Sequence, residues 1–314
     1  MIMSRLTVLM PTLNAERFLA ETLASLAAQT FQDFEVLVVD AGSTDGTVDV
    51  VRRDSRIRAT VIQCGRIGLG AQLRLGLNQV ASEYIARMDA DDVSIPERFE
   101  TQIRALDHGS ELSMVGSQID LLVGNKSCRA GALPQRHEGI RSALLNEFPA
   151  FCHPSVMFRT EAARRCNAYS ISGAGEDLDF YLRMTEAGKG ENLSAVLHKY
   201  RLHERSVSFA GFDELQLNYR YAVACARARE KGDVEPAIGE YASQWDRRGL
   251  GTRIGARLEC IGTRLYRKSR IRLAEGQRVR GVAGAVASVL VRPRLVRARA
   301  MIHWGTWREA AKTA

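Results

Sequence analysis

Over its first ninety residues the chain alternates short apolar runs with helical patterns, and that alternation admits few folds. Leu6–Met10, Glu35–Val39, Ala59–Gln63 and Tyr84–Met88 read as strands, each an apolar run bounded by turn-forming residues. Between them Ala15–Gln29, Thr47–Arg53 and Leu69–Val80 carry helical spacing. In the first of these, Phe18, Leu19, Thr22, Leu23 and Leu26 fall along one face, and Asn14 stands where a cap belongs. The order βαβαβαβ predicts an α/β fold with a mostly parallel central sheet. In open sheets of this kind ligands bind outside the carboxyl ends of the strands. Three of those ends carry polar, turn-forming residues: Pro11-Thr12-Leu13-Asn14, the segment Asp40 to Gly46, and Asp89-Ala90-Asp91-Asp92.

Beyond residue 93 the pattern loosens, and Ser110–Gly139 reads as irregular with short strands. Two denser segments follow, His153–Arg159 and Glu176–Arg183, the second with helical spacing. From about residue 210 the chain reads as helix, with Leu250, Ile254, Leu258, Ile261 and Leu265 on one stripe and Arg253, Arg257, Arg264, Lys268 and Arg272 on another. Six cysteines are scattered without CxxC spacing, which argues against a zinc site and a disulfide framework. The net charge of +8 conceals an asymmetry: residues 247–314 carry +14, leaving −6 for residues 1–246. The first ten residues lack the long apolar core and cleavage site of a signal peptide, so the expected location is the cytoplasm.

Three carboxylates within four residues, Asp89, Asp91 and Asp92, repel one another unless a cation or hydrogen-bond donors compensate them. Two readings fit: a site for a hard divalent ion, which favours oxygen ligands and shares them with phosphates, or a solvated turn. At the end of the second strand, Asp40 has the position from which a carboxylate can accept hydrogen bonds from a base or ribose, and Ser43 and Asp45-Gly46 shape a turn.

Together, Pro11-Thr12-Leu13-Asn14, Val38 through Thr47 and Met88-Asp89-Ala90-Asp91-Asp92 resemble, in type, order and spacing, the three N-terminal signatures of family 2 glycosyltransferases. The resemblance runs over about residues 4–210. Arg66-Ile67-Gly68-Leu69-Gly70 matches a glycine-containing loop, and His153–Arg159, Glu176–Phe180 and Tyr200–Ser208 look like the bacterial surface-polysaccharide branch. Arg66 and Arg74 depart from the pattern, in places where relatives often have Asn.

That resemblance implies a Rossmann-like, A-type glycosyltransferase fold in residues 1–210, followed by a basic helical region in 211–314. It implies a hexosyltransferase-like enzyme that moves a sugar from a nucleotide-diphosphate donor to a saccharide or lipid-linked acceptor hydroxyl with inversion. Carried over residue by residue, it assigns Pro11, Thr12, Asn14, Glu16, Asp40, Arg66 and Asp89 to the donor nucleotide. Asp91, with Asp89, would ligate Mn²⁺ or Mg²⁺, and Asp92 would brace the loop. Asp177 would be the general base with Glu176 beside it, and His153, His203 and Arg201 would face acceptor or diphosphate. For Glu16, and for the Glu176–Asp177 pair, a solvated acidic turn at a helix N-terminus is the competing explanation.

The basic tail has three readings. The apolar run Gly281–Val291 is too short to span a bilayer, but the arginine stripe fits a helix lying on the inner, anionic face of a membrane. It also fits a helical subdomain packed on the core. Nucleic acid is disfavoured, because few aromatics interleave with the arginines. Two other functions remain: a sugar-nucleotide pyrophosphorylase, which would need a Gly-rich phosphate loop where Pro11–Asn14 stands, and an inactive membrane-associated scaffold, against which the intact Asp89, Asp91 and Asp177 argue.

Overall fold

In the computed structural model, residues 4–203, 212–247 and 277–291 are described, with parts of 254–273. The predicted alternation is present, with ends shifted by at most two residues: β1 (Leu6–Thr12), α1 (Glu16–Ala27), β2 (Phe34–Asp40), α2 (Thr47–Arg53), β3 (Ala59–Gln63), α3 (Leu69–Gln79) and β4 (Tyr84–Arg87). The chain continues through β5 (Val93–Ser94), α4 (Arg98–His108), β6 (Leu112–Val123), β7 (Lys126–Arg129) and α5 (His137–Leu145). A 3₁₀ turn at His153–Ser155 leads into β8 (Met157–Arg159), α6 (Thr160–Arg165), α7 (Glu176–Ala187) and β9 (Lys189–Arg201). Helices α8 (Phe212–Lys231), α9 (Ile238–Asp246) and α10 (Arg278–Val291) follow.

The strands form one sheet in the order β3-β2-β1-β4-β8-β6-β9-β5, with β7 paired to β6. β1 is parallel to β2 and β4, and β2 to β3, in a register that sets Thr12 beside Asp40. β8 lies antiparallel to β4 and β6, and β9 to β5, so the sheet is parallel from β3 to β4 and antiparallel in these further pairings.

Alternation along the strands sorts the core into two layers. Leu9, Leu37, Val39 and Ile85 meet Leu73 and Leu77 of α3 and Leu178 and Leu182 of α7. Val8, Met10, Val36, Val38 and Ala86 meet Leu19, Leu23 and Leu26 of α1 and Phe99, Ile103 and Leu106 of α4. With both faces covered, every residue of β1 is buried, which is why it reads as an unbroken apolar run.

The expectation of irregular structure over Ser110–Gly139 is corrected by the twelve-residue strand β6. Its polar residues obscured it in the sequence, yet two of them are buried with partners: Ser113 donates to the Met184 carbonyl at 2.7 Å, and Gln118 exchanges two hydrogen bonds with the Leu133 backbone. Among the described residues the five cysteines are unpaired.

The chain divides into two compact units. The first comprises Met1–Asp120, Leu133–Tyr200 and Asn218–Glu235; the second comprises Leu121–Ala132, Arg201–Leu217 and Pro236–Ala314. In the second, Gly281 and Ser288 are the buried positions of α10, and a Cβ on Gly281 would lie 2.5 Å from Leu273 Cγ. Val279, Val282, Val286 and Leu290 are exposed, as are Ile254, Leu258 and Ile261. Leu250, Arg253, Arg257 and residues 204–208 lie outside the described residues. No helix among the described residues is long and apolar enough to cross a membrane.

Gly76 allows α3 to close on the sheet, since a Cβ there would stand 2.3 Å from Leu9 Cδ1 and 3.1 Å from Val39 Cγ2. Gly76→Ala gains about 1 kcal/mol of helix propensity but overpacks a filled layer, which costs about 1–3 kcal/mol. The expected net result is a lower urea midpoint with unchanged m-value.

Candidate active site

Two strand-end loops are laced together by hydrogen bonds. Asp40, fully buried at the end of β2, accepts from Thr12 Oγ1 at 2.8 Å, from the Gly42 and Ser43 amides at 3.1 and 2.9 Å, and from Ser43 Oγ at 2.5 Å. Its carboxylate therefore organises the turn after β2, with Gly42 in the left-handed region at φ 80°. Across the gap, the Asn14 amide donates to Ser43 Oγ and its side-chain oxygen accepts from the Thr44 amide, both at 2.8 Å. Glu16 accepts from the Gly46 amide at 2.9 Å, and a Cβ on Gly46 would lie 2.5 Å from the Glu16 carboxylate.

The expectation that Asn14 caps α1 is corrected. Asn14 adopts a left-handed φ of 52°, and Ala15 occupies the cap position without a side-chain bond. The first amides of the helix are satisfied from the other loop instead, Ala15 by Thr47 Oγ1 at 2.8 Å and Glu16 by Asp45 at 3.3 Å. Buried Gln72 of α3 ties both strand ends together, donating to the Thr12 and Val39 carbonyls at 3.3 and 3.0 Å.

After β4, carboxylate oxygens of Asp89, Asp91 and Asp92 converge within 4.8 Å of one another. They are not equivalent. Asp92 is fully buried and 2.8 Å from His198 Nε2, whereas Asp89 and Asp91 are partly exposed. Asp89 forms an ion pair with Arg87 at 2.6 Å; burial raises its pKa, with Asp91 adding to the rise and Arg87 opposing it. An all-oxygen donor set at this spacing suits a hard divalent cation.

The Gly68–Gly70 loop brings α7 to this edge. A Cβ on Gly68 would meet the Ser172 carbonyl at 2.2 Å, and one on Gly70 the Ile171 carbonyl at 2.0 Å and Glu176 Cβ at 2.9 Å, so only glycine permits the approach. Arg66, at the start of that loop, is exposed. Arg74 of α3 reaches Ser172 Oγ at 3.4 Å.

Asp177 opens α7 behind Gly175, whose φ is 94°. It accepts from the Leu178 amide at 2.9 Å and from the Tyr219 hydroxyl at 3.2 Å, while Asn218 donates to the Ala174 carbonyl at 2.7 Å. Burial raises the Asp177 carboxyl above its ordinary range although both donors pull the other way. Burial, then the neighbouring Asp177, pushes Glu176 up to about 8. At neutral pH Glu176 therefore holds a proton. His153 is buried, 3.0 Å from the Tyr169 hydroxyl and 3.7 Å from Glu176, and burial with nearby Arg87 drops its pKa well below the ordinary value, leaving it neutral.

Arg87 joins the two acidic groups. Buried to 2 % exposure, it is paired with Asp89, and its charge also acts on Glu176, Asp177, Tyr169 and His153. Its Nε has no hydrogen-bond partner among the described residues. Arg201, buried, and His203, half-buried, belong to the second compact unit, where the Leu202 amide between them donates to the Leu122 carbonyl at 2.9 Å.

Reading the sequence missed Arg87, Arg98, Gln72, His198, Asn218 and Tyr219. Arg87 carried a usable signal, a charged residue inside an apolar strand next to the acidic run. The others depend on tertiary pairing.

Because Glu176 titrates near 8 in the folded chain against an ordinary 4.5, the stability of its protonated form is complete below about pH 4.5 and is lost as pH rises through about 8. Glu176→Gln cannot ionise. It is expected to melt with the wild type near pH 5 and to be the more stable by roughly a few kcal/mol above pH 8, read by thermal melts across that range.

The sequence profile of glycosyl transferase family 2 matches residues 7–166. The chain is 32% identical over 208 residues to EpsE of Bacillus subtilis, named as a glycosyltransferase, covering 63% of this chain and 73% of that one. It is 28% identical to the UDP-Glc:α-D-GlcNAc-diphosphoundecaprenol β-1,3-glucosyltransferase WfgD of Escherichia coli, covering 67% and 82%. Among solved structures, TarS 1–349 of S. aureus in complex with UDP-GlcNAc superposes with a TM-score of 0.63 at 16% identity, over 94% of this chain and 92% of that one. The mannosyltransferase PcManGT from Pyrobaculum calidifontis, in complex with GDP-Man and Mn²⁺, gives 0.52 at 18% identity, over 91% and 87%. At these identities the structural matches establish the A-type glycosyltransferase fold.

Proposed function

Because the chain belongs to glycosyl transferase family 2, we propose that it transfers a sugar with inversion from a nucleoside-diphosphate donor to an acceptor hydroxyl in surface-polysaccharide synthesis. The observation that carries this reading is the union, through buried Arg87, of an acidic cluster at the end of β4 with a carboxylate pair at the start of α7. The names of relatives, WfgD among them, support polysaccharide chemistry and a lipid-linked saccharide as acceptor.

The laced loops give the nucleotide a rigid floor. Backbone groups of Pro11 to Asn14 face base and ribose, Thr12 and Asp40 hold that segment in place, and Glu16 fixes the Gly46 turn. Asp89 meets the ribose or the metal. Asp91 and Asp89 would hold a divalent ion such as Mn²⁺ or Mg²⁺, whose charge offsets the negative charge developing on the departing nucleoside diphosphate. Arg66, on the exposed rim of the glycine loop, contacts donor phosphates, and Arg201 and His203 serve acceptor or diphosphate.

Asp177 takes the proton of the attacking hydroxyl. Its two donors, Leu178 N–H and Tyr219 O–H, occupy one site on each oxygen and leave room for the incoming hydroxyl. Glu176, protonated, repels Asp177 less than a second carboxylate would. Neutral His153 holds Tyr169 beside the pair. The acceptor oxygen bonds to the anomeric carbon as its proton passes to Asp177 and the bond to the nucleoside diphosphate breaks, a single displacement that inverts the anomeric centre.

The test is nucleoside-diphosphate release from UDP- and GDP-sugars with Mn²⁺. Asp177→Asn is expected to lower kcat by about 10²–10⁴-fold while thermal-shift response to UDP or GDP is kept, and Asp91→Ala to lose that response's dependence on Mn²⁺. Full activity in both variants defeats this assignment of residues, and no release from any donor leaves the scaffold reading.

We further propose that the second unit rests on an anionic membrane surface. The exposed Val282, Val286, Val289 and Leu290 of α10 follow Arg278 and Arg280, and Arg292 and Arg294 come next in the sequence. The protein is expected to sediment with phosphatidylglycerol vesicles, not with phosphatidylcholine alone. Val282→Ser with Val286→Ser and Leu290→Ser should weaken that binding, without effect on transfer to a soluble acceptor.

A further inference from the structure

The acidic loop is held from beneath by a fully buried cation and a fully buried imidazole. Arg98, on the first turn of α4, donates from Nη2 to the Arg87 carbonyl at 2.9 Å and the Val156 carbonyl at 3.3 Å, and from Nε to Gln102 at 3.0 Å. Its Nη1 lies 3.4 Å from Met88 Sδ and 3.2 Å from His198 Nδ1. A guanidinium has no acceptor, so His198 Nδ1 must accept, and the ring proton resides on Nε2. That N–H donates to Asp92 Oδ2 at 2.8 Å. Arg98, His198 and Asp92 are all without solvent exposure. Register explains the meeting, because His198 of β9 pairs with Ser94 of β5, two residues past Asp92. From the other side Thr22 Oγ1 lies 3.0 Å from the Ala90 carbonyl and 2.8 Å from that of Asp92.

One guanidinium thus fixes the strand where the loop begins, and one imidazole fixes the carboxylate where it ends. A rigid loop lowers the entropy lost when a cation is gathered, and Asp92, fully buried with one oxygen taken by His198, offers itself to a cation less than the partly exposed Asp89 and Asp91 do.

We propose that Arg98 and His198 are positioning residues that pin the acidic loop and withhold Asp92 from a bound cation, leaving Asp89 and Asp91 as its protein ligands. This rests on the reading of Asp89 and Asp91 as metal ligands.

The test is Mn²⁺ affinity of the full chain by electron paramagnetic resonance, alone and with UDP or GDP. Asp92→Asn keeps an oxygen to accept from His198 and is expected to bind Mn²⁺ within about threefold of wild type, whereas Asp91→Asn loses about tenfold or more. His198→Gln, whose amide can accept from Arg98 and donate to Asp92, should retain affinity. His198→Leu should lose about tenfold while keeping a cooperative melt. Asp92→Asn failing as badly as Asp91→Asn overturns the proposal, and so does a folded His198→Leu with wild-type affinity. If His198→Leu does not fold, Asp92→Asn and His198→Gln decide the matter, loss of affinity in both counting against it. Asp91→Asn binding like wild type would instead overturn the ligand reading on which the proposal stands.

Discussion

Negative charge gathered out of water repels itself, and five carboxyl groups of this chain face that problem together. Asp89, Asp91, Asp92, Glu176 and Asp177 draw on two buried guanidinium groups, Arg87 and Arg98, and the two respond differently. Arg87 pairs directly with Asp89 and acts through space on Glu176 and Asp177; Arg98 is hydrogen-bonded to a neutral imidazole that in turn bonds Asp92. Burying a charge without a partner costs several kcal/mol, of order, so these guanidinium groups are tolerable only because the acids are there, and the converse holds as well. Fold and site are in this sense one electrostatic arrangement.

The parallel half of the sheet was legible in the sequence because its residues obey a single rule: strands covered on both faces must be apolar throughout, and their ends must turn. Leu6–Thr12 and Phe34–Asp40 are of this kind, and the polar residues that break the run are those that build the loops. β6 was hidden because Ser113, Ser117 and Gln118 interrupt its apolar pattern, and two of these find partners only after the chain has folded. Local pattern carries no record of partners far along the chain.

The same limit separates the acidic motifs, which a reader can find, from the groups that give them different roles. Asp89, Asp91 and Asp92 stand side by side in sequence with nothing to rank them. The ranking comes from Arg87 two residues earlier and from His198 more than a hundred residues later. Asn14 shows it on a smaller scale: an asparagine ahead of a helix reads as its cap, but in the fold it bonds across to Ser43 and Thr44 and cedes the helix amides to Thr47 and Asp45.

Tyr219 and Asn218 close over the turn before α7 from positions on α8 that lie more than fifty residues beyond the end of the family match. A fragment cut at about residue 210, where the resemblance to the family signatures ends, would keep every signature motif and still leave Asp177 without its phenolic donor and the Ala174 carbonyl without its amide. The smallest piece able to hold that carboxylate as the whole protein does is therefore defined by α8, and evolutionary drift in this helix can change the setting of Asp177 while every hallmark residue stays unchanged.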